Sequence, residues 1–421
     1  MPYLCQNMTK KTWIIIVISA LGYFVDIYDL ILFGIIKKES LFALGYNEIT
    51  YKVYEVSLFN YQMTGMVIGG ILWGILGDKR GRVIVLFGSI LLYSIANILN
   101  AFVTDIHTYK ILRLLAGIGL AGELGAGVTL MSETIAKGKR GLGTMLIVTF
   151  GALGGVFATL VGNKGAMLNS FFDTNLQNWQ MAYLVGGIMG FLLLLLRTSN
   201  LESTMYVKME KTGVKKGSLW QIISSGDLLK IYMSCIAVGI PIWFIIGVLI
   251  NLGDRFAFKN SGIHIEVPIC IMWTYVGLST GDIVSGVLSQ VLRNRKTVIY
   301  IYLTMAFFAS CVFMFTTNQK PNFYYTMSYV LGFATGYWAL FVINSAEQFG
   351  TNLRATASST VPNFVRGTVV PITWIFVTFS AHPDAKMIQI AFFICFICFL
   401  LAVFGTAMIE DGFDKELDFI H

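Results

Sequence analysis

The stretch that decides the fold runs from Ser57 to Val103: SLFNYQMTGMVIGGILWGILGDKRGRVIVLFGSILLYSIANILNAFV. Two apolar runs, 57–77 and 83–103, are joined by the charged turn Asp78-Lys79-Arg80-Gly81-Arg82. Each run has the length a helix needs to cross a bilayer, about 17–25 residues at 1.5 Å per residue. The segment reads as two membrane helices folded back through a short polar loop.

The same pattern fills the rest of the chain. Apolar runs between charge clusters lie at 13–36, 57–77, 83–103, 109–134, 141–162, 180–198, 229–252, 268–291, 297–316, 323–346, 356–380 and 387–409. The 421 residues are 56% hydrophobic and only 13% charged, with a mean hydropathy of +0.71. A soluble domain carries roughly 25% charge, so a soluble fold of this composition would have to expose large apolar patches. The expected class is an all-α membrane protein with twelve transmembrane helices. The first run is too long for a cleaved signal peptide and holds two aspartates.

Loop charge sets the orientation. Of the 30 Lys and Arg, 19 fall on the N-terminal side of the bilayer and 9 on the other, while Arg113 and Arg366 lie inside spans. This positive-inside bias places both termini in the cytoplasm of a multi-pass inner-membrane protein. It also accounts for the net charge of +7 without nucleic acid. Cys395 and Cys398 have redox spacing, but sit mid-span among Phe and Ile and read as buried thiols. The four His are scattered; no metal site, cofactor or enzymatic constellation is expected.

The polar segment 199–228 separates six spans from six, giving an N-terminal bundle (1–198), a cytoplasmic linker (199–228) and a C-terminal bundle (229–421). The two sets repeat. Gly74, Asp78 and Arg82 recur as Gly286, Gln290 and Arg295 at offsets of 212 to 213, and Glu133 and Arg140 recur as Glu347 and Arg354 at 214. A constant offset across separate motifs indicates an internal duplication of the parallel kind found in transporters.

These motifs carry a resemblance. Gly74-Ile-Leu-Gly-Asp78-Lys79-Arg80-Gly81-Arg82 resembles the loop signature between spans 2 and 3 of the major facilitator superfamily. Arg113 with Gly117 and Gly119 is similar to its fourth-span motif, and Gly119-Leu-Ala-Gly-Glu123 through Glu133 resembles the sugar-porter and metabolite:proton symporter branches. Arg197 with Glu202-Ser203 after span 6 points the same way, and Asp26-Ile-Tyr-Asp29 is similar to the paired aspartates of aromatic-acid and organic-anion:proton symporters. Gln290 replaces an acid, and Gly151-Ala-Leu-Gly-Gly155 lacks the Gly-Pro pair of drug:proton antiporters. The resemblance implies that Asp78, Arg82, Glu133, Arg140, Glu347 and Arg354 form cytoplasmic ion-pair latches that favour an outward-facing state.

Charges within spans cost at least about 2.5–3.5 kcal/mol each and need a partner or a role. Asp26 and Asp29 share a helical face roughly 20–24 Å into span 1, and Arg113 lies at a depth comparable to that of Asp29 in span 4. An Asp29–Arg113 ion pair is expected, either permanent or broken when Asp29 is protonated. Arg366, near mid-depth in span 11, has no counterpart in the first repeat. It either holds a substrate carboxylate, for which a planar guanidinium is suited, or neutralises Asp282. Glu123 is either a proton relay or structural, and the glycines around it suit close helix packing. Tyr23, Tyr28, Trp243, Trp273, Tyr337 and Trp338 are cavity aromatics or packing, and Asn344 and Asn363 bind substrate or neighbouring helices.

The expected function is proton-coupled import of a small organic anion by alternating access. Asp26, Asp29 and Glu123 would carry protons, while Arg113, Arg366, Tyr23, Trp243, Tyr337, Trp338, Asn344 and Asn363 would line the substrate site. The expected partners are the small anion, protons and the bilayer, with the protein a monomer. The alternatives are an exporter of a siderophore or drug on the same fold, or an importer of a polycarboxylate siderophore.

Overall fold

The computed structural model describes residues 10–80, 82–123, 125, 140–163, 175–209, 219–350, 353–380 and 386–413. Every one of the twelve predicted spans holds helix. The first six give α1 (Lys10–Ala43), α2 (Glu48–Arg80), α3 (Arg82–Asn100), α4 (Ile106–Leu120), α5 (Arg140–Asn163) and α6 (Asn178–Met209). After a short α7 (Leu219–Ser224) come α8 (Gly226–Phe244), which continues as a π-helix over Ile245–Ile250, and α9 (Gly253–Ser261). The last spans are α10 (Val267–Leu292), α11 (Arg295–Phe315), α12 (Pro321–Ala334) with α13 (Trp338–Glu347), α14 (Arg354–Gly367) with α15 (Val369–Ser380), and α16 (Met387–Met408). The polar segment after span 6 is less of a loop than expected: α6 runs on to Met209, and α8 already begins at Gly226.

Local chemistry sets the ends. Asp105 caps α4 by accepting hydrogen bonds from the backbone N–H groups of His107 and Thr108, both at 2.9 Å, which satisfies two of the donors a helix start leaves unpaired. Asn294 does the same for α11 through Thr297 N (2.8 Å). Gly262, at φ 66°, closes α9 in the left-handed conformation that glycine adopts without strain.

The first six spans pack among themselves, α1 on α5 and α6, α2 on α4, and α3 on α4 and α6. The last six do likewise, with α10 on α12 and α16 on α8 and α11. Glycine permits the closest of these approaches. A Cβ on Gly65 would stand 2.2 Å from the carbonyl oxygen of Leu114, and one on Gly117 2.0 Å from that of Gln62, so α2 and α4 touch backbone to backbone. Two seams join the sets: α5 against α10, and α2 against α14.

Eight helices among the described residues are long and apolar enough to cross a membrane. The second, third, fourth and eleventh spans are not among them, and the second, fourth and eleventh carry Gln62, Arg113 and Arg366. Three of the last six spans are irregular at mid-length: α8 passes Pro241 into the π turn, span 10 breaks between α12 and α13, and span 11 turns at Thr368. Such breaks free backbone groups at membrane depth, where they are tolerated only if buried in protein or lining a site.

Candidate functional site

Six of the buried ionisable groups lie on or beside four helices. Asp26 and Asp29 (α1), Arg113 (α4), Glu123 just beyond α4, Asp282 (α10) and Arg366 (α14) are all at most 2% exposed. Lys37, Glu55, Arg295, Glu347 and Arg354 are buried too, so the described interior holds six carboxyl groups and five cationic groups, and each charge at membrane depth needs a partner or a proton.

Arg366 does not pair with Asp282. Its Nη2 reaches Asp26 Oδ2 at 3.5 Å, across the seam between the two sets of spans. Its Nη1 donates to Asn363 Oδ1 at 3.5 Å, its Nε makes no hydrogen bond, and its Cζ lies 5.8 Å from the centre of the Trp338 ring. The guanidinium thus has five donors and only two long contacts, well short of its bonding capacity. Asn363 is held in place by donating to the carbonyls of Ala121 and Ser359, both at 2.8 Å. Trp338 Nε1 donates to Tyr23 Oη at 2.9 Å, again across the seam. Tyr23, Asp26, Trp338, Asn363 and Arg366 therefore form one constellation, with Tyr275 and Glu123 beside it.

Asp282 has a different partner. Its Oδ1 accepts from the backbone N–H of Ala339 at 3.0 Å, at the first turn of α13. The break in span 10 creates that orphan donor, and the carboxylate caps it at the positive end of a helix.

The expected Asp29–Arg113 ion pair is also absent. Gln62 stands between them: its Oε1 accepts from Arg113 Nη2, and its Nε2 reaches the backbone carbonyl of Asp29 at 3.5 Å. Arg113 also donates to Tyr183 Oη (3.4 Å) and packs 4.7 Å from the centre of the Phe33 ring. Neither carboxylate oxygen of Asp29 makes a hydrogen bond. Arg113 and Asp29 form a second cluster inside the first six spans, separate from Arg366.

Other candidates are dispersed. Tyr28 donates to the carbonyl of Ala182 (2.8 Å), and Tyr337 to that of Val238 (3.0 Å). Both bonds are ordinary packing within one set of spans. Asn344 Oδ1 accepts from Gly412 N (3.0 Å), which ties α13 to the C-terminal segment and takes it out of the constellation. Trp243 is buried in α8, whereas Trp273 is 40% exposed on the outer surface of the bundle. Of the latch residues, Glu133 and the side chains of Asp78, Arg82 and Arg140 lie outside the described residues. Arg354 is buried, and Glu347 pairs with Arg295.

One network was not legible in the sequence. Lys37, assigned to a loop by composition, is buried in α1. Its Nζ contacts Glu55 Oε2 (2.7 Å), the backbone carbonyl of Asn251 (2.7 Å) and Asn251 Oδ1 (3.1 Å). Glu55 Oε1 also meets Arg255 Nη2 at 2.7 Å. The Asn251 carbonyl is available because the helix ends there, after the π turn. Glu55 lies just outside the second span. Burial pushes its carboxyl up, but Lys37 and Arg255 outweigh that and hold it below the usual carboxylate range. This network pins α1 and α2 to the end of span 7. Between it and Arg366 lies a small apolar pocket of about 20 Å³, room for about one water, walled by Leu30, Phe59, Ile246, Ile271 and Tyr275. On the other side of the site, Gly125 abuts Ser359 and Gly286 abuts Met145, so the seam is also in contact there.

A buried constellation at the seam of two six-helix sets is the architecture of a transporter, and comparison with known proteins agrees. The sequence model of the Major Facilitator Superfamily matches residues 13–381. The chain belongs to this superfamily. Among curated relatives, it is 29% identical over 308 residues to the putative niacin/nicotinamide transporter NiaP of Bacillus subtilis, covering 72% of this chain and 73% of that one. It is 24% identical over 305 residues to the 3-(3-hydroxy-phenyl)propionate transporter of Escherichia coli, covering 72% of each. The solved proton:xylose symporter XylE, bound to 6-bromo-6-deoxy-D-glucose, superposes with a TM-score of 0.68 at 16% identity, covering 97% of this chain and 98% of that one. This facilitator is a multi-pass membrane transporter, not an enzyme. Its buried constellation lies at the seam between the two sets of spans.

Proposed function

We propose that this facilitator imports a small organic anion together with a proton across the inner membrane. The observation that carries the reading is the Asp26–Arg366 contact, buried and bridging the two sets of spans at 3.5 Å. Substrate carboxylate and ionised Asp26 compete for the same guanidinium. When the substrate takes Arg366, an ionised Asp26 would be left unpaired in an apolar interior, at a cost of about 3–5 kcal/mol. Asp26 therefore takes a proton as the anion binds, and the two are released together on the other side. Of the molecules in the relatives' names (niacin, nicotinamide and 3-(3-hydroxy-phenyl)propionate), niacin and 3-(3-hydroxy-phenyl)propionate are ring-bearing carboxylic acids and the first substrates to try.

In this reading residues 1–198 rock against 229–421 about the site, both termini are cytoplasmic, and Lys37, Glu55 and Arg255 close the outer side. Asp26, rather than Asp29, is the main coupling group, and Arg113 orders the first bundle.

The test is Asp26→Asn in proteoliposomes, with nicotinate as the probe. The variant mimics the protonated acid, so exchange of labelled for unlabelled nicotinate persists while accumulation driven by a pH gradient is lost. Accumulation at the wild-type level in Asp26→Asn overturns the coupling assignment.

A further inference from the structure

We propose that the site reads both ends of its substrate: the carboxylate at Arg366, and at the far end a ring nitrogen or hydroxyl hydrogen-bonded by Asp282. The inference rests on the reading of Arg366 as the anion anchor and adds the chemistry of the opposite end.

Asp282 faces the seam. It belongs to the stripe Tyr275, Ser279, Asp282 and Gly286 on α10, spaced by four, three and four residues and so on one helical face. The rest of that stripe meets α5. Ser279 Oγ donates to the carbonyl of Thr149 (2.7 Å), Gly155 abuts the Tyr275 ring, and Met145 abuts Gly286. The Asp282 side chain is fully buried, and only one of its oxygens is committed, Oδ1 to Ala339 N. Oδ2 makes no hydrogen bond. Capping α13 needs a single acceptor, which asparagine or serine supplies without burying an ionisable group. The second oxygen is more than the cap requires, and buried polar atoms are almost always bonded to something.

Trp338 and Ala339 connect the two ends. The Trp338 ring lies 5.8 Å from the Arg366 guanidinium, and the next residue, Ala339, donates to Asp282. Trp338 thus meets the anion anchor with its ring, the residue after it bonds the carboxyl, and the indole, bonded to Tyr23, is a flat wall beside the guanidinium. Tyr23 lies within electrostatic reach of both Arg366 and Asp282. A guanidinium and a free carboxyl oxygen joined by one flat aromatic residue suit a single-ring acid. Protonated, Asp282 donates to a ring nitrogen; ionised, it accepts from a hydroxyl. A C–H in that position leaves Oδ2 unmatched, and sites built to hydrogen-bond a group reject the analogue that lacks it.

The experiment uses two matched pairs of probes on the purified full-length protein: nicotinate with benzoate, and 3-(3-hydroxyphenyl)propionate with 3-phenylpropionate. Calorimetry on the wild type is expected to show the polar member of at least one pair bound about ten-fold tighter or more. In Asp282→Ala that ratio falls to near one, and in Asp282→Asn, which keeps the α13 cap and a polar group, it is largely retained. If Asp282 serves only as the cap, Asp282→Ala weakens both members of a pair equally and the ratio stays as in the wild type, which overturns the inference. Equal binding of all four probes to the wild type also overturns it while leaving the Arg366 anchor standing. Failure of all four to bind removes the anchor and the inference together.

Discussion

Arg366 is the residue on which the function turns, and its environment makes its substitutions informative. Removing the guanidinium strands Asp26 in the apolar interior, so Arg366→Ala is expected to lose about 3–5 kcal/mol of stability as well as anion binding. Adding Asp26→Asn removes the stranded charge. The double variant should regain most of the thermal stability of the wild type, as read by its unfolding midpoint, but bind no nicotinate. Recovery of binding in the double variant would show that Arg366 serves only to neutralise Asp26. Arg366→Lys keeps the charge and loses the planar fork, so affinity should fall about thirty-fold, corresponding to roughly 2 kcal/mol, while exchange persists.

Among the helices, α1 is held by two kinds of contact. On its inner stretch it lies against α5 with no room for a side chain: a Cβ on Gly154 would stand 2.1 Å from the carbonyl oxygen of Phe24. Backbone cannot yield as a flexible side chain can, so Gly154→Ala should cost about 1–3 kcal/mol by overpacking, measured as a lowered unfolding midpoint. Gly286→Ala is the control, because its Cβ would meet the sulfur of Met145, which can swing away. Towards the other end, Lys37 ties α1 to Glu55 and Asn251. Glu55→Gln weakens both Lys37 and Arg255 contacts, so a cysteine placed at Ile246, in a background without the native cysteines, should react with an external thiol reagent about ten-fold faster. Unchanged labelling would rule the network out as an outer closure. The pH dependence follows from the lowered pKa of Glu55. A depressed folded-state value gives stabilisation that is complete above the unfolded carboxyl range, about pH 4.3, and is lost as pH falls through the lower folded value. Divided by the rate for a freely exposed cysteine, which corrects for loss of thiolate, the same labelling should therefore be flat from neutral pH down to about pH 5 and accelerate only in stronger acid.

At the scale of the whole molecule, transport requires the two sets of spans to separate on one side at a time. The described contacts hold the seam on both sides of Arg366, by the Lys37–Glu55–Arg255 network on one and by Gly125–Ser359 and Gly286–Met145 on the other. A short bifunctional thiol reagent bridging Glu55→Cys and Arg255→Cys should fix the first of these closed. Nicotinate uptake and exchange should then stop together and return on reductive release, with the unfolding midpoint unchanged or raised. Exchange that continues through the cross-link would mean that α2 and the end of span 7 do not part during the cycle.

The twelve spans were legible in the sequence, because membrane insertion depends on run length and polarity, which are local properties. Asp26, Arg366, Tyr23, Trp338 and Asn363 could likewise be singled out, since a polar group at bilayer depth stands out against apolar neighbours. Which charge meets which was not legible. Depth along a helix is a one-dimensional coordinate, and it made Asp29–Arg113 and Asp282–Arg366 equally reasonable. Rotation of each helix about its axis and the choice of neighbours are set by glycine-mediated packing across the bundle. That packing put Gln62 between Asp29 and Arg113 and turned Arg366 to Asp26. It also gave Asp282 a helix end that exists only because span 10 breaks. Lys37 shows the same limit: composition marked it as a loop cation, while the tertiary fold buried it against Glu55 and a carbonyl released by the end of the π turn. The sequence determined which groups are costly enough to need partners, and the packing of helices distant in sequence decided who those partners are.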